Sequence, residues 1–223
     1  MTQGVTSGFR DRREAGQALA AALTSYAGQS DVLVLALPRG GVPVAVEVAE
    51  ALGAPLDLFL VRKLGAPRRR ELAIGAIASG GVRVLNDDVV RWYGITPAEI
   101  EEIAREEQIE LERRESAYRE GRPALPIEGR VVILVDDGLA TGSNMRASVK
   151  AVRRRNPSRI VVAVPVGARD TCDELNAHAD EVVCVRSPEP FVAVGQWYAD
   201  FNQTTDQEVR NLLRDYAVPA AHQ

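Results

Sequence analysis

The sequence has few of the residues that build metal centres or covalent frameworks: two cysteines, Cys172 and Cys184, and two histidines, His178 and His222, in 223 residues, with no CxxC pair. Neither a zinc site nor a disulfide scaffold has its ligands, so the chain is expected to work in the reduced cytoplasm. It lacks any run of about 18 apolar residues, the length that a membrane helix requires. Residues 1–16 contain no apolar stretch of signal-peptide length, so neither membrane association nor secretion by that route is expected. Basic charge is not in surplus, with 27 Lys and Arg against 31 Asp and Glu and a net charge of -4. Affinity for nucleic-acid backbones comes from cations gathered on one face, so no nucleic-acid partner is expected. Internal repeats and low-complexity tracts are missing as well.

What is present is the balance of a packed globular protein, 46% apolar and 26% charged residues. The length suits one core, and residues 1–223 are expected to form a single domain. Asp11 offers a helix cap with Glu14 three residues on, and the strong helix former AGQALAAAL follows, ended by Gly28. Then come DVLVLALP, the pair Gly40-Gly41, a helical stretch over 43–52 and the run PLDLFLVRK, which together read as strand, helix and strand. The pattern returns after Pro123 and Pro126 with VVILV, a polar loop, a helix over 143–154 and the strands RIVVAVPV and EVVCV. None of these runs alternates with polar residues, so each strand is expected to be covered on both faces, as in a parallel sheet between helices. The fold class is therefore α/β, a doubly wound open parallel sheet of at least five strands.

Residues 72–122 read as an insertion in that sheet. A hairpin of 72–78 and 82–85 turns about Ser79-Gly80-Gly81, and a long charged helix runs from the capping box Thr96-Pro97-Ala98-Glu99 to about Arg119. Ile100, Ile103, Glu107, Leu111 and Tyr118 fall on one face of it, which suits a helix packed along one edge. Residues 186–223 form a small C-terminal hood and a last helix opened by a further capping box at Thr205 and Glu208.

The chemistry concentrates in VVILVDDGLATGSNM, residues 131–145. An apolar strand delivers Asp136 and Asp137 to its carboxyl end, where open parallel sheets hold their ligands. Ala140, Thr141, Gly142, Ser143 and Asn144 follow and enter a helix, so several backbone N–H groups converge on an anion at the positive end of the helix dipole. Two carboxylates beside a phosphate cradle require a ligand that brings hydroxyls or a cation for them, as a sugar phosphate does. A P-loop needs a different spacing and a lysine, and Leu37-Pro38-Arg39-Gly40-Gly41 does not spell GxGxxG.

This stretch resembles the phosphoribosyl pyrophosphate signature of type I phosphoribosyltransferases, and VDDGLATG is especially similar to that of adenine phosphoribosyltransferases. The resemblance implies transfer of a 5-phosphoribosyl group from phosphoribosyl pyrophosphate to a nitrogenous base or related small-molecule acceptor, with release of pyrophosphate. It implies a Mg2+ cofactor held mainly by the substrate and water, with no metal ligand assigned to the protein, and a homodimer. By the same resemblance Asp136 and Asp137 hold the ribose hydroxyls, while Ala140, Thr141, Gly142, Ser143 and Asn144 bind the 5-phosphate, with Asn144 standing where the family commonly has Thr. Relatives that use 6-oxopurines carry an aspartate at the place of Ala140 and a lysine near residues 165–167. Their absence here disfavours hypoxanthine and guanine.

Arg39, Gly40 and Gly41 end the first core strand with glycines that permit close approach of a ligand. The resemblance makes this the pyrophosphate loop, which in some relatives contains a strained cis peptide. Lys63, at the end of the second strand, is expected to stabilise the departing pyrophosphate as a catalytic charge beside Asp136 and Asp137. Residues 65–81, with Arg68, Arg69 and Arg70, have the composition of a mobile loop that closes to keep water from an oxocarbenium-like ribose. Phe191 and Val192 resemble the segment that borders the base, with Trp197 or Tyr198 closing it. Two further readings stay open. One is a regulator that senses phosphoribosyl pyrophosphate or nucleotides without turnover; the other is a dinucleotide-dependent oxidoreductase, resting on Gly40, Gly41 and Asp57.

Overall fold

The structure, a computed structural model, describes residues 8–216; expectations placed on residues 1–7 and 217–223, His222 among them, lie outside the described residues. The chain runs through α1 (Arg12–Ala22), β1 (Val32–Ala36), α2 (Gly41–Leu52), β2 (Leu56–Leu58), β3 (Val61–Ala66), β4 (Arg69–Ala78), β5 (Val82–Leu85), α3 (Asp87–Trp92) and α4 (Pro97–Arg119). It continues through β6 (Val131–Val135), α5 (Ser143–Arg153), β7 (Arg159–Val166), α6 (Arg169–Leu175), β8 (Glu181–Arg186) and α7 (Asp206–Tyr216). Five strands form a sheet in the order β2-β1-β6-β7-β8, every neighbour parallel. The chain first moves outward from β1 to β2 and later returns to the other side of β1 as β6, so the direction of winding reverses between β1 and β6. At such a switch point the loops diverge to opposite faces and leave a crevice at the carboxyl ends of the strands.

The missing polar alternation has its reason in the packing. Val32, Val34 and Ala36 of β1 and Ile133 and Val135 of β6 pack with Leu19, Val44 and Val48 of α1 and α2. The alternate residues Leu33, Leu35, Val132 and Leu134 pack with Met145, Val149 and Val152 of α5. Successive strand side chains point to opposite faces, and both faces are apolar because both are roofed by helices.

The run PLDLFLVRK is not one strand. β2 ends at Leu58, paired with Ala36, the last residue of β1, and the Phe59 N–H takes the Ala36 carbonyl. Beyond that point β1 leads into Pro38, which has no N–H to extend a ladder. Residues 61–66 pair instead with β4 in a separate antiparallel sheet, β3-β4-β5. The mobile loop expected over 65–81 is therefore mostly strand, and two of its glycines serve close strand approach. A Cβ on Gly65 would sit 2.5 Å from the Arg70 carbonyl oxygen, and one on Gly75 would collide with the backbone of Val84. Register shifts on either side of Gly65 mark a bulge.

Helix α4 begins with both hydrogen bonds of the Thr96–Glu99 capping box and buries Ile100, Ala104, Leu111 and Tyr118. Its last turn is tied to the sheet by Arg119, which lies 2.8 Å from Asp57 Oδ1 and donates to the Leu58 carbonyl at 2.9 Å. The Leu125 N–H donates to Asp57 Oδ2 at 2.9 Å. Asp57 is thus wholly engaged within the fold, and the dinucleotide reading loses its ribose-binding acid. Helix α7 packs on α2, α4 and β2.

Asp57→Ala takes from the buried Arg119 guanidinium its nearer carboxylate and leaves it Glu115 at 3.4 Å, and the expected loss of unfolding free energy is about 3 kcal/mol. Urea denaturation measures it, and the double replacement Asp57→Leu/Arg119→Met should recover most of the loss. A single-variant loss below about 1 kcal/mol would place the pair among weak surface bridges instead.

Candidate active site

The loops after β1 and β6 leave neighbouring strands at the same edge and touch. The Leu37 N–H donates to the Val135 carbonyl at 2.9 Å. A Cβ on Gly41 would lie 2.7 Å from the Val135 oxygen and 3.0 Å from Asp136 Cα, and a Cβ on Gly40 would fall inside the Asp137 carboxylate. Glycine is required here for space, not for turn geometry, since Gly40 has φ of -60°. The peptide between Pro38 and Arg39 is cis.

The loop after the acids is clasped from below. The Leu139 N–H donates to Val166 O at 2.9 Å, the Ala168 N–H donates back to Leu139 O at 2.9 Å, and the Thr171 hydroxyl donates to Ala140 O at 2.7 Å. Leu139, Gly142 and Met145 are buried anchors, while Ala140, Thr141, Ser143 and Asn144 are exposed at the mouth. Gly142, with φ of 66°, turns the chain into α5. The first amides of that helix have no acceptor within it and face whatever sits in the loop.

Asp136 and Asp137 are half-buried, and Asp136 accepts the Asp137 N–H at 2.9 Å. Burial pushes the Asp136 carboxyl well above the ordinary carboxylate range, and the adjacent Asp137 pushes it further. Burial raises Asp137 too, against the pull of Arg12. Arg12, from the first turn of α1, places Nε 2.9 Å and Nη2 2.8 Å from Asp137 Oδ2. The same guanidinium donates to Asn202 O at 2.7 Å and lies over the Phe201 ring, 4.1 Å from its centroid. The Tyr198 hydroxyl donates to the Asp137 carbonyl at 2.6 Å. One arginine thereby joins the N-terminal helix, the acid pair and the segment after β8.

Asp136 and Asn144 line a cavity of about 140 Å3 together with Pro38, Arg39, Arg62, Arg114 and Tyr118. Arg114 and Tyr118 come from α4, so the helix read as an insertion forms one wall. Arg62 Nε lies 2.5 Å from Glu107, and Arg114 Nε lies 2.7 Å from Glu110, whose carboxyl is pulled down to about 2 by Arg113 and Arg114. Arg39 Nη1 is 3.5 Å from Asp206, which also accepts the Tyr118 hydroxyl at 2.7 Å. Lys63 is not in this cavity. With Arg68 and Arg70 it lines an adjoining one of about 530 Å3 between the β3–β4 hairpin and α4, and its Nζ donates to Glu71 O at 3.1 Å.

Phe191 packs against the cluster of Phe9, Val166 and Tyr198, whereas Val192 is 70% exposed. Val194 presses on Gly138, where a Cβ would sit 2.6 Å from Val194 Cγ1. Sequence reasoning missed Arg12 and Arg114 and passed over Arg62 for its neighbour. Glu107, Glu110, Arg114 and Tyr118 recur at helical spacing and could have marked a polar stripe facing a ligand; Arg12 has no local signal. Among the described residues there is no cluster of three or more His, Cys, Asp or Glu side chains able to hold a metal ion by itself.

The family profile for the phosphoribosyl transferase domain matches residues 11–202. A Mycobacterium tuberculosis protein provisionally named a phosphoribosyl transferase is 48% identical over 217 residues, covering 96% of this chain and 49% of the relative, so the chain spans about half the length of the curated relatives it matches. The crystal structure of a Thermus thermophilus protein superposes with a TM-score of 0.84 at 44% identity, covering 95% of this chain and 100% of that one. Among the described residues no helix is long and apolar enough to cross a membrane. The profile spans the reversed sheet, both loops at its switch point and the segment after β8, and the chain belongs to the type I phosphoribosyltransferase family.

Proposed function

We propose that the chain transfers the 5-phosphoribosyl group of phosphoribosyl pyrophosphate to a nitrogenous acceptor and releases pyrophosphate. The observation that carries this reading is the contact of Gly40 and Gly41 with Asp136 and Asp137, which sets an acid pair, an anion-binding helix start and an arginine-bearing loop around one crevice. Ribose hydroxyls donate to Asp136 and Asp137, and the 5-phosphate accepts hydrogen bonds from the loop of Ala140, Thr141, Gly142, Ser143 and Asn144. Arg12 opposes the upward push of burial on Asp137 and so favours the ionised state that accepts such bonds.

The pyrophosphate extends past Gly40 and Gly41 into the cavity lined by Arg39, Arg62 and Arg114. Their fixed charges stabilise the negative charge that grows on the leaving oxygen as the bond to the ribose carbon breaks. In this reading the role expected of Lys63 is given to these arginines, because Arg62 and Arg114 line both cavities whereas Lys63 lines only the adjoining one. The acceptor approaches the ribose carbon from the opposite side, beneath the segment of Phe191 and Val192. Trp197 in that segment has a buried indole N–H with no partner among the described residues, a donor that can orient an acceptor. Mg2+ would arrive on the substrate, and the chemistry it would supply is to neutralise and orient the pyrophosphate beside Arg39, Arg62 and Arg114.

Calorimetry of phosphoribosyl pyrophosphate binding with and without Mg2+, followed by a panel of bases with assay of pyrophosphate, tests the reading. Magnesium-dependent binding with release for one base supports it; binding without release from any base favours a ligand-sensing regulator, and absence of binding removes both. Asp137→Asn should weaken ribose 5-phosphate binding by about 1.5–3 kcal/mol, the scale of a hydrogen bond to a charged group. Arg114→Gln should weaken pyrophosphate binding by a similar margin of about 1.5–3 kcal/mol, while Lys63→Gln leaves it nearly unchanged; the reverse order would restore Lys63 to the site.

The acid pair also has a signature in stability. Asp136 has a raised carboxyl pKa in the fold, so the native state binds extra protons between the ordinary value of 3.8 and the raised one. Stability is therefore lost as pH rises through that window. Asp136→Asn lacks this titration and should show a Tm advantage over the parent that grows with pH and vanishes in acid, read by thermal melts across pH. A pH-independent difference would contradict the burial of the charge.

A further inference from the structure

The chain has only two cysteines, and the fold brings them together from different elements. Cys172 lies in α6 and Cys184 in β8, on either side of Gly167. A Cβ added to Gly167 would lie 2.8 Å from Cys172 Sγ and 3.3 Å from Cys184 Sγ. The Cys184 thiol donates to the Arg186 carbonyl at 3.2 Å and accepts the Ser187 hydroxyl at 3.4 Å. The neighbouring Cys172 thiol and the Ser187 hydroxyl bring the Cys184 thiol down to about 7, whereas the adjacent Cys184 and burial push Cys172 up. Cys172 is 6% exposed and Cys184 is half-buried, so the residue with the more acidic thiol is the more exposed of the two. A pair of small apolar side chains would explain burial but not the hydroxyl aimed at Cys184.

The pair adjoins the loop after the acids. Gly167 is bridged to Leu139, and Thr171, next to Cys172, holds the Ala140 carbonyl. We propose that Cys172 and Cys184 form a modification site for hydroperoxides, a thiol pair oxidised to an intramolecular disulfide that loosens the loop of residues 139–142. The Cys184 thiolate attacks a peroxide oxygen, the O–O bond breaks, and a sulfenic acid forms while the other oxygen leaves as water or alcohol. The Cys172 sulfur then displaces the sulfenic hydroxyl, which leaves as water, and the S–S bond forms. Two thiols lose two electrons and two protons, and the hydroperoxide takes both. An S–S bond of about 2.05 Å is shorter than any contact between unbonded sulfurs, so closure draws the first turn of α6 toward β8 and away from Ala140.

This inference does not rest on the ribosyl-phosphate reading, and its test needs no substrate. The reduced full chain is treated with hydrogen peroxide, then measured by non-reducing intact mass, thiol titration after denaturation, and amide hydrogen exchange. A monomer lighter by two hydrogens with no titratable thiol is expected, with exchange at Leu139 and Ala168 faster by about fivefold, the scale of one neutral hydrogen bond. Dithiothreitol should reverse both changes. Cys184→Ser should be inert to peroxide, and Cys172→Ser should stop at a sulfenic acid that dimedone traps. Two free thiols after treatment that oxidises exposed model thiols, disulfide-linked dimers in place of the internal bond, or a disulfide with unchanged loop exchange would each overturn the proposal.

Discussion

The approach of Gly40 and Gly41 to Asp136 and Asp137 leaves no room for a side chain, because the space is held by a carboxylate on one side and the Val135 carbonyl on the other. Adjacent strands lie about 4.8 Å apart, and loops that leave them at the same edge ordinarily diverge from one another. Here the reversal between β1 and β6 sends the helices to opposite faces, and the glycines let the two backbones meet in the gap. The acid pair gains its burial from that meeting, and with burial the raised carboxyl pKa values that set the site apart from an ordinary strand end.

Two buried carboxylate–guanidinium pairs divide the electrostatic work. Asp57 and Arg119 satisfy one another with help from the Leu58 carbonyl and the Leu125 N–H, and nothing is left over for a ligand. At Asp137 the same chemistry is left incomplete. Arg12 engages one oxygen, while neighbouring Asp136 is held by a backbone N–H and repelled by its neighbour.

Helix α4 changes meaning between sequence and structure. Its apolar stripe is thin because part of the face that packs inward is polar and faces a cavity: Arg114 and Tyr118 reach the space beside Asp136, and Glu107 and Glu110 hold the arginines there. The antiparallel sheet beneath it arises because β2 runs out of partner backbone after Ala36. Once the chain has left the parallel sheet, residues 61–122 line one side of the crevice beside Asp136 as a second layer, not as an appendage.

The parallel sheet, the positions of α1, α4 and α5, the capping boxes and the loop from the acid pair into α5 were all readable, because each depends on residues close together in the chain. An unalternating apolar run says that both faces are covered, and VDDGLATGSN carries its ligand chemistry within ten contiguous positions. The split of PLDLFLVRK could not be read, since it turns on where β1 stops offering hydrogen-bond partners. Arg12, Arg62 and Arg114 were hidden for a related reason: a long charged side chain has no sequence signature of its destination; Arg12 and Arg62 reach their carboxylates across elements, and Arg114, paired with Glu110 in its own helix, reaches the cavity beside Asp136. Local pattern specifies which elements form and what one loop can hold; the path of the chain through space settles which distant charges meet there, because ion pairing depends on distances that contiguous sequence does not encode.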